Sequence, residues 1–295
     1  MHPTTHPARG TWTILSLIEW GKQYLHERGF EDSRLNIELL LCHTLHLTRI
    51  NLYTSFDRPL SATELAEFKV ALRRRLTHEP LQYIVGETEF MGITLYVNPS
   101  VLIPRPETEE LVQKALEWIK GLNSDRVDIL DVGTGSGNIP IAIERFSSNT
   151  HVTSIDVSAD ALDVAARNID RHKCARITLK QQDVFDMVGS GRTWDLIIAN
   201  PPYISTEEFA TLQPEVRDFE PAIATTDNAD GLRFIRRICG LAAETLNDRG
   251  VLFMEVAYNQ GAAAKRIASE SGLVEVEISK DVSGNERMLQ GRRAA

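Results

Sequence analysis

At 295 residues, 42% hydrophobic and 25% charged, the chain is long enough for two domains with buried cores. Its composition matches soluble globular proteins and excludes disordered, collagenous and membrane-spanning classes. A net charge of −9 argues against broad attraction to nucleic-acid phosphates, and the three cysteines, Cys42, Cys174 and Cys239, are too far apart to suggest a disulfide framework or a metal site.

The opening segment Met1–Gly10 lacks the apolar run of a secretory leader and the Arg- and Ser-rich pattern of a transit peptide. No stretch approaches the roughly 20 apolar residues of a membrane span, so a cytoplasmic protein without membrane contact is expected. From Trp12 to about His78 the apolar spacing is helical: Ile14, Leu17, Ile18, Tyr24 and Leu25 mark one helix and Leu35 to Leu47 another. Ser61-Ala62-Thr63-Glu64 is a capping-box pattern opening a third, with Leu65, Phe68, Leu72 and Leu76 on one face and Lys69, Arg73 and Arg74 turned to water or a partner. Residues 1–78 are thus expected to form a small helical bundle that recognises the substrate. Its basic run, Arg73-Arg74-Arg75, reads as either a solvated helix face or a partner contact.

Glu79-Pro80 closes that region, because proline disfavours helical geometry in the residue before it. From Leu81 to Ser100 the pattern is strand-like, with Ile93, Leu95 and Val97 alternating, which predicts a linker hairpin over 79–106. From Glu107 strands and helices alternate, so 107–295 is expected to be an α/β domain with a mostly parallel sheet covered on both faces. Its predicted strands are Val127–Val132, Val152–Val157, Ile177–Gln181, Trp194–Ala199, Val251–Val256 and Val274–Ile278.

The first of these strands runs into Asp131-Val132-Gly133-Thr134-Gly135-Ser136-Gly137 and a helix start at Ile139. Glycines let a backbone turn tightly against a ligand, and a helix N-terminus offers free N–H groups. The dinucleotide pattern Gly-x-Gly-x-x-Gly is not met in either register, since Asn138 or Pro140 stands where its third glycine should be. The turn suits a ligand with an amino acid tail better than a pyrophosphate. The next strand ends at Asp156, where a carboxylate can accept from ribose hydroxyls, with Ser158 available as the cap of the following helix. The third leads to Gln182-Asp183-Val184-Phe185, a carboxylate for an adenine amino group beside apolar atoms for its ring. After the fourth comes Asn200-Pro201-Pro202-Tyr203. The Asn200 side-chain oxygen and the Pro201 carbonyl can accept both N–H bonds of a planar nitrogen, neither proline presents a competing N–H, and Tyr203 offers a flat stacking face.

At these residues the chain resembles the HemK/PrmC family of protein-glutamine N5-methyltransferases. The resemblance extends through Glu79-Pro80-Leu81-Gln82-Tyr83-Ile84-Val85-Gly86, Phe90-Met91-Gly92, Val101 to Glu109 with its Pro-Arg-Pro-Glu-Thr-Glu core, Glu220-Pro221, Asp230-Gly231-Leu232, and Glu255 with Gln260. It implies a Rossmann-like class I methyltransferase sheet and S-adenosylmethionine as cofactor. The substrate it implies is the Gly-Gly-Gln glutamine of class I peptide-chain release factors. It further implies that Gly133, Thr134, Gly135, Ser136, Gly137, Asp156, Asp183, Val184 and Asn200 contact the cofactor, under a cover formed by Phe90 and Ile103–Arg105. Asn200, Pro201, Pro202 and Tyr203 would bind the glutamine amide, with Asn200, Pro201 and Tyr203 as the catalytic set and no general base. Relatives often carry an aromatic residue where Val184 stands. The competing substrate classes are a nucleic-acid amino group, which would call for a basic groove and a base-reading domain, and a glutamine of a ribosomal protein. A non-catalytic nucleotide-binding protein on the same fold is disfavoured by the intact Asn200–Tyr203 motif.

Overall fold

Thr13 and Ser16 exchange backbone and side-chain hydrogen bonds in a capping box, and this starts helix α1 (Ile14–His26). The computed structural model describes residues 11–188, 191 and 193–294. The opening segment Met1–Gly10, and with it the reading that it carries no targeting signal, lies outside the described residues. The chain divides into two units, Met1–Gly86 and Glu87–Ala295. In the first, α2 (Ser33–Leu45), α3 (Arg49–Thr54) and α4 (Ala62–Leu76) follow α1. Leu17, Ile18, Ile37, Leu41, Phe68 and Leu72 share one apolar cluster. The Ser61–Glu64 capping box opens α4 where its sequence pattern places it. Glu38 on α2 is buried and accepts hydrogen bonds from Arg34, Arg49 and Tyr53, which ties α3 to α2.

The basic run on α4 does not act as one patch. Arg73 and Arg74 are exposed, but Arg75 is buried. Its Nε donates to Asn36 Oδ1 at 2.6 Å, its Nη1 to the Glu79 carbonyl at 3.0 Å, and its guanidinium lies over the Phe30 ring. This residue is an internal strut of the bundle, so any contact with a partner falls to the exposed pair.

Two segments of the chain depart from the sequence expectation. Leu81–Val85 is helical (α5), not strand-like. Pro80 precedes the first turn, where no donor is needed, and its carbonyl accepts from Tyr83 and Ile84. Gly86 ends the helix with φ +82, so the helical unit runs past residue 78. Second, the hairpin of β1 (Glu87–Phe90) and β2 (Ile93–Tyr96) is no free linker. Its Phe90, Ile93 and Leu95 are buried with Leu111, Val112 and Ala115 of α6 (Pro106–Gly121), inside the core of the second unit.

That unit continues as β3 (Val127–Val132), α7 (Asn138–Phe146), β4 (Thr150–Asp156), α8 (Ala159–His172) and β5 (Ile177–Gln181). A 3-10 turn at Val184–Asp186 leads to β6 (Trp194–Ala199) and to the short helices α9 (Thr206–Phe209), α10 (Pro214–Phe219) and α11 (Ala222–Thr225). Then come α12 (Arg233–Thr245), β7 (Leu246–Glu255), α13 (Gly261–Glu270), β8 (Leu273–Lys280) and β9 (Glu286–Arg293). The sheet order is β5-β4-β3-β6-β7-β9-β8, parallel from β5 to β7, with β9 running antiparallel between β7 and β8. Each central strand feeds alternate residues to opposite faces. Leu130, Val132, Ile197, Leu252 and Met254 pack with α12 and α13, whereas Ile129, Leu196, Ile198, Val251 and Phe253 pack with α6 and α7. The α/β class is as expected, but the sequence reading missed β9, which reads Glu-Arg-Met-Leu-Gln-Gly-Arg-Arg and buries Met288 in one cluster and Leu289 in the other. Among the described residues no helix is long and apolar enough to cross a membrane.

Candidate functional site

The crossovers of the sheet change direction at β3, which pairs with β4 on one side and β6 on the other. A crevice is expected beyond the carboxyl ends of strands at such a switch point. A cavity of about 300 Å³ opens there, walled by Gly133–Ser136, Ile155–Ser158, Gln182–Phe185 and Asn200–Pro202. The segments after β3, β4, β5 and β6 are therefore brought together. Gly137 and Tyr203 do not line this cavity.

Within the glycine turn φ is +79 at Gly133, +52 at Gly135 and +79 at Gly137, a region that side chains with a Cβ rarely adopt. A Cβ at Gly133 or Gly135 would meet nothing within 4 Å, so those two open a cradle toward the cavity. At Gly137 a Cβ would press on Ile141 and Ala165; this glycine serves the packing of α7 on α8. Gly133 and Thr134 both donate to the Ile155 carbonyl. Gly135 donates to Asp156 Oδ2 at 2.9 Å, while Asp156 Oδ1 accepts from the Ser158 N–H at 3.0 Å. Asp156 thus welds the glycine turn to the end of β4, a task its position in the sequence does not reveal. Ser158 caps α8, accepting from the Ala161 N–H. Each Asp156 oxygen has a further lone pair for a ligand hydroxyl. Burial raises the pKa of Asp156 against the backbone hydrogen bonds it accepts.

Asp131 sits beneath the turn, fully buried beside the hydroxyls of Thr134 and Ser154, and burial pushes its pKa up to about 7. Asp183 accepts from the Phe185 N–H at 2.9 Å and so shapes the wall after β5. Val184 is buried and supplies an apolar surface there, while the Phe185 ring meets Phe234 edge-on.

At the end of β6 the side chain of Asn200 is held by residues distant in sequence. Its Nδ2 donates to Thr108 Oγ1 at 2.9 Å, and the Thr108 hydroxyl donates to Glu255 Oε2 at 2.7 Å. Glu255 Oε1 accepts from the Tyr203 hydroxyl at 3.1 Å. Burial pushes the Glu255 carboxyl up despite the bonds from Thr108 and Tyr203, and raises the Tyr203 phenol as well. The carbonyl of Tyr203 accepts from Gln260 Nε2 at 2.8 Å, and the same nitrogen reaches the Gly231 carbonyl at 3.1 Å. A Cβ on Gly231 would fall 2.6 Å from the Tyr203 oxygen and 2.7 Å from Gln260 Nε2, at a φ of +79. At the start of α6, three residues before Thr108, Arg105 Nη2 donates to both oxygens of buried Glu220, at 2.7 and 2.8 Å. Tyr203 was expected as a stacking face; the bond the structure shows is from its hydroxyl, which closes the loop onto Glu255.

In the sequence Thr108, Gly231, Glu255 and Gln260 stand only within the segments that carry the family resemblance, with no task assigned to them. A signal for two of them was present. Thr108 stands on the same helical stripe as Leu111, Val112, Ala115 and Ile119, a hydroxyl on an otherwise apolar face, and Glu255 is a carboxylate within the apolar run Val251–Val256.

Residues 16–86 match the PrmC N-terminal domain and residues 115–215 the methyltransferase small domain. The chain is 40% identical to the release factor glutamine methyltransferase of Rhodopirellula baltica, with 96% of this chain and 97% of the relative covered. It is also 40% identical to the enzyme of the same name from Geobacter sulfurreducens, covering 95% and 97%. A solved methyltransferase structure from Pyrococcus furiosus shares 17% identity at a TM-score of 0.51, over 77% of this chain and 100% of that one, which is a likeness of fold.

Proposed function

The chain belongs to the release factor glutamine methyltransferase family, and we propose that it methylates the side-chain nitrogen, N5, of the glutamine in the Gly-Gly-Gln motif of class I peptide-chain release factors. The observation that carries this reading is the convergence of four strand ends on one cavity, with Asn200–Pro202 on its wall beside the glycine cradle. The residues present fit S-adenosylmethionine. The cradle at Gly133 and Gly135 leaves room for a polar tail, the Asp156 carboxylate stands beside the cradle at the end of β4, and Val184 and Phe185 border an apolar slot.

When bound, the cofactor supplies a methyl group on a positively charged sulfur. We assign Gly133–Ser136 to its amino acid end, Asp156 to the ribose, and Asp183 with Val184 to the adenine. An amide nitrogen is a weak nucleophile because its lone pair is delocalised, so the protein's work is to hold and aim it. Asn200 Oδ1 and the Pro201 carbonyl accept its two N–H bonds, and these hydrogen bonds strengthen as positive charge develops on nitrogen. Tyr203 is assigned the stacking face for the amide plane, outside the cofactor cavity, with its hydroxyl anchored on Glu255. No general base is assigned, since an N-protonated amide is acidic enough to release its proton to water. We assign recognition of the folded factor to the helical unit.

The test is incubation of the purified protein with methyl-labelled S-adenosylmethionine and, in parallel, a class I release factor, ribosomal proteins, DNA and RNA. Label is expected on the release factor. Label confined to nucleic acid or to a ribosomal protein would replace this reading with the corresponding class.

A further inference from the structure

A carboxamide has nearly the same shape in its two orientations, which differ by a half-turn that exchanges oxygen and nitrogen. For Asn200 the difference decides the chemistry: one orientation shows the substrate an acceptor, the other a pair of donors that would repel its N–H groups. The surroundings select between them. A Thr hydroxyl has a single proton, and with Glu255 in its carboxylate form that of Thr108 is given to Glu255 Oε2 at 2.7 Å. Only acceptor capacity remains on Thr108 Oγ1, so the group facing it at 2.9 Å must be the Asn200 NH₂. The other Glu255 oxygen receives the Tyr203 hydroxyl, so one buried carboxylate takes protons from both sides. Thr108 and Glu255 are each 1% exposed, which denies solvent the chance to supply a different pattern.

We propose that Thr108 and Glu255 are positioning residues that set the polarity of the Asn200 amide: the carboxylate fixes the direction of the Thr108 hydroxyl, and the hydroxyl turns Asn200 Oδ1 toward the substrate nitrogen. The inference rests on the reading of Asn200 Oδ1 as a substrate acceptor. It explains why a hydroxyl interrupts the apolar stripe of α6 and why a carboxylate ends β7 one residue beyond Met254, the register partner of Ala199. Glu255 also joins the two ends of the Asn200–Tyr203 loop, Tyr203 directly and Asn200 through Thr108.

The test is a double-mutant cycle read by single-turnover methylation of the release factor, with S-adenosylmethionine affinity and thermal melting measured on every variant. Asn200→Ala alone is expected to slow turnover by about 100-fold, the scale for loss of a transition-state acceptor. Thr108→Val keeps the shape of the side chain but loses the hydroxyl; it should slow turnover at least about 10-fold, with cofactor affinity within about two-fold of the parent. Thr108→Ser, which keeps the hydroxyl, should restore most of the rate. In the Asn200→Ala background Thr108→Val should cost less than about a further two-fold, because the group it orients is gone. Multiplying losses in the double variant, or Thr108→Ser as slow as Thr108→Val, would assign Thr108 a merely structural part and overturn the proposal. Near-normal turnover of Asn200→Ala would instead overturn the acceptor reading, and the relay with it.

Discussion

At the scale of single residues the most consequential ionisable group outside the relay is Asp131. Its pKa is raised from 3.8 to about 7 by burial, against the Thr134 and Ser154 hydroxyls beside it. A carboxyl whose folded-state pKa lies above its unfolded value stabilises the fold fully below the unfolded pKa. That contribution is lost as pH rises through the folded value. Asp131→Asn carries no such dependence. Relative to the parent, its stability is expected to climb between about pH 4 and pH 7 and level off above, by up to ~4 kcal/mol at 1.36 kcal/mol per pKa unit. Denaturant unfolding across that range checks this; parallel curves for parent and variant would show that Asp131 is not held in its neutral form. Asp156 teaches a different lesson about residues. Its place at a strand end was legible from the strand pattern and the glycine turn before it. Its bond to the Gly135 N–H was not, because that bond joins the loop after β3 to the last residue of β4, and their approach depends on the pairing of the two strands.

At the scale of elements, segments with strong periodicity could be read from sequence, whereas those whose conformation depends on neighbours could not. The central strands alternate between two apolar faces and were placed within a few residues. Leu81–Val85 follows Pro80, a residue that reads as a terminator in sequence, yet a proline before a first helical turn removes no hydrogen bond and the segment is helical. Strand β9 was invisible because its polar residues outnumber its two apolar side chains, Met288 and Leu289, and its place is fixed by pairing with β7 and β8. The loop between α11 and α12 shows the same dependence at a functional position. Gly231 could be read as a turn residue, but not its approach to the Tyr203 carbonyl and Gln260. Gly231→Ala must open that contact and adopt a left-handed φ, which is expected to lower stability by about 1–3 kcal/mol. Because the displaced atom belongs to the Asn200–Tyr203 loop, kcat should fall more than cofactor affinity. A melting temperature drop with an unchanged kcat would show that the loop tolerates the shift.

At the scale of the whole molecule, the helical unit and the α/β unit each have an apolar core of their own, and the residues assigned to cofactor and amide all lie in the second. The division of labour proposed for them has a direct consequence. A short Gly-Gly-Gln peptide fills only the catalytic pocket, whereas a folded factor needs further surface, since specific interfaces bury roughly 1,200–2,000 Å². A chain beginning at Glu87, once shown to bind S-adenosylmethionine, should methylate the peptide at close to the parental rate and lose most of its kcat/KM on the intact factor. Equal losses on both substrates, or none on either, would leave the helical unit without a recognition role. The central claim concerns one atom. Fragmentation mass spectrometry of a release factor methylated by the full chain should place a single methyl group on the side-chain nitrogen of the Gly-Gly-Gln glutamine, and replacing that glutamine should abolish the modification; a methyl group at any other residue would contradict the assignment of the Asn200–Tyr203 loop to a glutamine amide.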